Sequence, residues 1–141
     1  MTEVRESCEL GASAHQVWML ISDFGGFAEM LVASRDGTVQ VSGTAIGMTR
    51  TVTIGDDHLI ERLEDFDDIN WRTGYSMLAT GPLPIADYRA TISLSPLAGD
   101  RCALDWVGSF VPDGASETEA ADAVRTVYVE GIELMRQRFG G

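Results

Sequence analysis

Residues 116–139 carry one unbroken helical rhythm, and this segment constrains the fold more than any other. Ala120, Val124, Val127, Tyr128, Gly131, Ile132, Leu134, Met135 and Phe139 form a broad apolar stripe on a helix of about six turns. Ser116 and Glu119 make a capping box. Glu117, Glu119 and Asp122 sit at the positive end of the helix dipole, and Arg136 and Arg138 sit at the negative end. A stripe of that length needs a large apolar surface to cover it.

The upstream sequence supplies one. Residues 4–10 alternate Val4, Cys8 and Leu10 against Arg5, Ser7 and Glu9, a first strand in which Glu6 is an inward polar exception. Gly11-Ala12-Ser13 ends it, and Ser13 with Gln16 caps a short helix bearing Val17, Trp18, Leu20 and Ile21. A second short helix follows at 24–31. The rhythm then changes to period two, and residues 38–41, 48–54, 59–66, 71–79, 86–94 and 102–111 read as six strands separated by Gly, Asp and Pro clusters. Spacers this short make hairpins, so the sheet is an antiparallel meander. The expected fold is α+β, a seven-stranded curved antiparallel sheet wrapped round a long C-terminal helix, with two short helices after the first strand. A twisted sheet curling round a straight helix leaves a hollow between them.

At 141 residues, 45% apolar and 23% charged, the composition is that of one globular domain spanning 1–141. Twenty-two carboxylates oppose ten arginines and no lysine, a net charge of −12. That balance argues against nucleic acid, whose affinity comes largely from phosphate neutralisation, and against anionic membranes. Neither a signal-peptide core nor a run of 18 apolar residues is visible, so the sequence predicts a cytoplasmic protein without membrane insertion. A homodimer is left open.

The strand and helix order resembles the helix-grip fold of the START-like, or SRPBCC, superfamily, and within it the bacterial polyketide cyclase/dehydrase-like branch. Ala14-His15-Gln16-Val17-Trp18 followed by Ile21-Ser22-Asp23-Phe24 is similar to the opening of the bacterial members. Gly47-Met48-Thr49-Arg50 and Glu61-Arg62-Leu63 resemble two further motifs. Tyr75, Pro82-Leu83-Pro84, Tyr88-Arg89-Ala90-Thr91-Ile92 and Trp106 with Phe110-Val111-Pro112 complete the resemblance, which runs through nearly the whole chain. It implies a fold and a cavity, while the functions hosted on that fold are many. In this fold the first strand pairs with the last, which implies that Cys8 and Cys102 are neighbours. A reducing cytoplasm would keep them as free thiols.

The hairpin through residues 48–65 carries the most informative charges. With Asp56-Asp57 as its turn, Ile54 faces Leu59 and Arg50 faces Leu63. Met48, Arg50, Val52, Ile54, Leu59, Glu61 and Leu63 then share one face, with Arg50 and Glu61 as its only charges and diagonal neighbours. They read as a pair orienting a ligand carbonyl or carboxylate, as a structural clasp, or, with the register one residue off, as two side chains pointing to water. Tyr75, Met77, Tyr88, Trp106, Phe110, Tyr128, Gly131 and Met135 are the other expected ligand-binding residues. Filling the helix face at Gly131 with tryptophan is expected to block the hollow at modest cost in stability. The alternative is that the aromatics leave a solid core.

Three functions follow as expectations. The first is binding of a small hydrophobic or aromatic molecule between sheet and long helix. The second is a cyclase/dehydratase-like enzyme with Arg50, Glu61 and Tyr75 as catalytic candidates, Arg50 polarising a carbonyl while Glu61 or Tyr75 moves the proton. The third is an interaction module using the acidic surface. The absence of a histidine from the expected cavity favours binding over catalysis. No metal or other cofactor is expected: Asp56-Asp57-His58 lies on a tight turn without a second histidine, and His15 stands alone in a helix.

Overall fold

A computed structural model describes all residues, Met1–Gly141. The elements run β1 (Thr2–Leu10), α1 (Ala14–Ile21), α2 (Phe24–Val32), a 3₁₀ turn (Ala33–Arg35), β2 (Thr38–Ser42), β3 (Thr49–Ile54), β4 (Asp57–Asp67), β5 (Arg72–Thr80), β6 (Ile85–Leu97), β7 (Arg101–Pro112) and α3 (Glu117–Phe139). All seven strands lie in one antiparallel sheet of order β1-β7-β6-β5-β4-β3-β2. This is the expected helix-grip arrangement.

The helices start where their polar caps dictate. The Gln16 and Glu119 amides donate to Ser13 Oγ (3.2 Å) and Ser116 Oγ (3.1 Å), and both capping boxes are closed. Asp23 caps α2 by accepting from the Gly26 amide at 3.0 Å. Each such cap stabilises its helix by about 0.5–2 kcal/mol. The stripe of α3 is buried along Ala120, Val124, Tyr128, Gly131, Ile132 and Met135, with Val127, Leu134 and Phe139 half-buried at its edges. It packs on β1 and β7, whereas α2 packs on β2 and β3.

Three local features differ from the sequence expectation. The β3–β4 turn is Gly55-Asp56, so Arg50 stands directly opposite Glu61 rather than opposite Leu63. Gly55, at φ +59°, suits the first central position of a II′ turn, which only glycine occupies without strain. Trp71 does not begin a strand but closes the turn before β5 at φ +55°, where the Asp67 carboxylate accepts from the Ile69 and Asn70 amides. On β6, a bulge at Asp87 (φ +52°) shifts the register against β7 between Ala86 and Arg89. Ile85 and Tyr88 consequently both face inward, though an unbroken strand would put them on opposite faces.

Cys8 and Cys102 lie on the paired strands β1 and β7 as diagonal neighbours, since Cys8 opposes Leu104 and Leu10 opposes Cys102. Both are free thiols, and burial pushes both above the usual thiol range.

Candidate functional site

The cavity lies where the sheet curls away from the helices. It has a volume of about 220 Å³ and is walled by β3, β4 and β5 on one side and by α2 and α3 on the other. Its lining is mostly apolar: Ala28, Leu31 and Val32 from α2, Val52, Ile54, Leu59 and Met77 from the sheet, Val124 and Val127 from α3.

One buried ion pair interrupts that apolar wall. Arg50 donates from Nε to Glu61 Oε1 at 2.8 Å and from Nη1 to the Phe24 carbonyl at 2.7 Å. Its guanidinium lies 4.0 Å from the Phe24 ring centroid and 5.1 Å from that of Tyr75. The side chains are only 4% and 10% exposed. Directly opposed strand positions hold them together, so the sheet and not side-chain flexibility sets the geometry. Arg50 Nη2 and Glu61 Oε2 make no hydrogen bond to the protein, yet neither is sealed in the interior. Both residues line the cavity, so its wall carries an unused donor on Arg50 and an unused acceptor on Glu61.

Three phenols form the second polar feature. Tyr75 and Tyr88 hydroxyls are 3.2 Å apart, Tyr88 bonds Tyr128, and the Trp106 indole N–H donates to Tyr75 Oη at 3.3 Å. Trp106 stacks on Tyr128 with centroids 4.4 Å apart. Three phenol protons serve two bonds between phenols, so one O–H remains to donate to something else. Burial, which disfavours the phenolate, pushes Tyr75 up to about 12 and Tyr88 and Tyr128 well above the usual phenol range. At neutral pH all three are protonated.

Of the residues singled out from sequence, Arg50, Glu61, Tyr75, Met77, Tyr88, Trp106, Tyr128 and Gly131 line this cavity together. Phe110 and Met135 do not. Both are fully buried in the hydrophobic core, Phe110 on β7 and Met135 on α3. Gly131 marks another difference: a Cβ there would lie 2.9 Å from the Trp106 ring and 3.0 Å from Leu31, so α3 rests on Trp106 at this point rather than bridging a hollow. Tryptophan at Gly131 would therefore break the packing, not fill a space.

Sequence reasoning missed Gly108. A Cβ at this β7 position would lie 2.0 Å from Tyr128 Oη, so the missing side chain is what admits the Tyr128 phenol to the network. Glycine inside an otherwise regular strand was the available signal. It also missed Arg35 and Glu130, which line the cavity at its half-exposed rim and form an ion pair joining the 3₁₀ turn to α3. His58, on the β3–β4 hairpin, has its Nδ1 in contact with Thr53 Oγ1 at 3.1 Å, away from the cavity.

Comparison with known proteins agrees with the fold. The structure matches XoxI of Bacillus cereus with a TM-score of 0.86 at 26% identity, over 99% of this chain and 96% of that one. It matches the ZhuI aromatase/cyclase of Streptomyces sp. R1128 with a TM-score of 0.73 at 18% identity, covering 96% and 92%. Norcoclaurine synthase of Thalictrum flavum, in complex with dopamine and hydroxybenzaldehyde, gives 0.70 at 18% identity, covering 96% and 84%. No curated protein matches the sequence. Residues 1–140 match the family described as polyketide cyclase/dehydrase and lipid transport, and the chain belongs to that family.

Proposed function

We propose that this protein binds a small hydrophobic or aromatic molecule in the cavity between sheet and α3, with the Arg50–Glu61 pair orienting a polar head group. The observation that carries this reading is the pairing of an apolar 220 Å³ cavity with a buried ion pair that keeps one donor and one acceptor free. A buried pair recovers little net stability after desolvation, so its place at a cavity wall is better explained by recognition. Apolar walls with a few convergent polar groups are what small-ligand sites share.

Native mass spectrometry of protein purified from its own host tests the reading, since a bound small molecule would be retained and weighed. Val127→Trp, which fills the cavity from a half-buried position on α3, is expected to lose that mass while the fold is kept. Retention of the same molecule by the folded Val127→Trp variant would place binding elsewhere and sink the proposal.

A second reading, a cyclase/dehydratase-like reaction, is favoured by the proximity of Arg50, Glu61 and Tyr75. Here Arg50 would polarise a carbonyl and Glu61 would move the proton. Tyr75 fits only as a neutral donor, because a phenol pushed to about 12 is far from the near-neutral value that suits a base. Turnover of a poly-β-ketone probe that is lost in Glu61→Gln would support this reading; no turnover in the wild type would leave binding alone.

A further inference from the structure

We infer that the ligand is an uncharged one- or two-ring molecule whose hydroxyl head both donates and accepts, a phenol or naphthol, rather than a carboxylate, an ammonium or a long-chain lipid. This rests on the cavity reading above and specifies what enters it. Three observations converge.

The first is charge. Arg50 is already neutralised by Glu61 at 2.8 Å, so an entering carboxylate gains no net attraction from the pair and meets the Glu61 Oε2 lone pairs. Around the whole lining two arginines, Arg35 and Arg50, oppose three carboxylates, Asp57, Glu61 and Glu130. Within a chain of net charge −12, that field disfavours an anion at every stage of approach. An ammonium is drawn toward the rim by the same field, but at the inner wall it gains no net attraction from the paired Arg50 and Glu61 and has no lone pair to accept from Arg50.

The second is hydrogen-bond complementarity. The free Arg50 Nη2 donates, the free Glu61 Oε2 accepts, and one phenol O–H of the tyrosine network remains to donate. A hydroxyl satisfies both kinds of group at once, its oxygen taking Arg50 and its proton going to Glu61. A bare carbonyl or ether would leave Oε2 unpartnered, and an unpaired buried acceptor is costly.

The third is size. A cavity of about 150 Å³ accommodates benzene, while drug-sized ligands occupy roughly 300–1,000 Å³. At about 220 Å³ the cavity holds a substituted single ring or two fused rings. A long acyl chain would fill it and leave the rest of its apolar length in water beyond the half-exposed rim.

Titration calorimetry on the full chain at neutral pH separates these points with five probes: naphthalene, 2-naphthol, 2-naphthoate, 2-naphthylmethylammonium and 1-dodecanol. The expected result is that 2-naphthol binds at least tenfold tighter than each of the other four. Naphthoate, the ammonium or dodecanol binding as tightly as naphthol would overturn the inference while leaving the cavity reading intact. If neither naphthalene nor any of the others binds, the cavity reading falls as well. Glu61→Gln, which leaves Arg50 uncompensated, is expected to reverse the order and make naphthoate the tighter ligand. Where that variant does not fold, the wild-type ratios decide alone.

Discussion

Arg50 and Glu61 face each other across one hairpin at 2.8 Å, each the other's only charged partner on a surface that is otherwise Val52, Leu59 and Leu63. Removing one strands the other inside. Arg50→Met is expected to cost about 3–5 kcal/mol, and Arg50→Met with Glu61→Leu considerably less, because the double variant removes both desolvation penalties. Urea denaturation of the wild type, both single variants and the double variant measures the coupling. Equal stability of single and double variants would show that the pair does not act as a buried unit.

The chain's three tyrosines are all in the cavity network, so its phenol titration is read without background. Folded protein is expected to show no tyrosinate absorbance near the ordinary phenol pKa of about 10. The native state then holds protons that the unfolded chain has released. Stability from this source is fully present below pH 10 and falls as pH rises toward 12. For Tyr75, raised from 10.0 to about 12, the contribution is roughly 3 kcal/mol. Tyrosinate appearing at pH 10 without unfolding would contradict the buried network.

How much of this was legible beforehand depends on parity. The alternation puts Arg50 and Glu61 on one inward face whether the turn is Asp56-Asp57 or Gly55-Asp56, because the change shifts the register by two and period two survives an even shift. Direct opposition, unlike face, required knowing that Gly55 takes the positive φ. The α3 stripe showed which helix residues go inside but not how near the sheet they come. That distance is a property of the sheet's curl, so Gly131 against Trp106, and Phe110 and Met135 in the hydrophobic core, emerged only in three dimensions. The rim pair Arg35–Glu130 joins positions 95 apart in sequence, and no local pattern connects them.

Gly108 and Tyr128 should prove interdependent. Gly108→Ala places a methyl 2.0 Å from Tyr128 Oη and is expected to destabilise by about 1–3 kcal/mol as an overpacked site. Adding Tyr128→Phe removes the clashing oxygen and should recover part of that loss, since the ring carbon behind it lies at 3.2 Å. Thermal denaturation of the two single variants and the double variant checks this. A double variant less stable than the sum of the singles would mean that Gly108 serves some purpose other than admitting the phenol.

Arg35 and Glu130 tie the 3₁₀ turn to α3 across the cavity rim, and at 51% exposure each the bond is worth little to the fold. Arg35→Ala is expected to change stability by about 0.2–1 kcal/mol at most. Under the proposed function its effect is expected on ligand exchange, because the pair stands at the cavity edge beside the lining residues Leu31, Val32 and Val127. Stopped-flow measurement of 2-naphthol binding should therefore show faster association and faster release in Arg35→Ala, with affinity nearly unchanged. Raising the salt concentration to about 1 M, where the screening length falls to about 3 Å and reaches an exposed contact pair, should move the wild type toward the variant and leave the variant unmoved. Identical exchange rates in the two proteins at low salt would show that molecules reach Arg50 by another route.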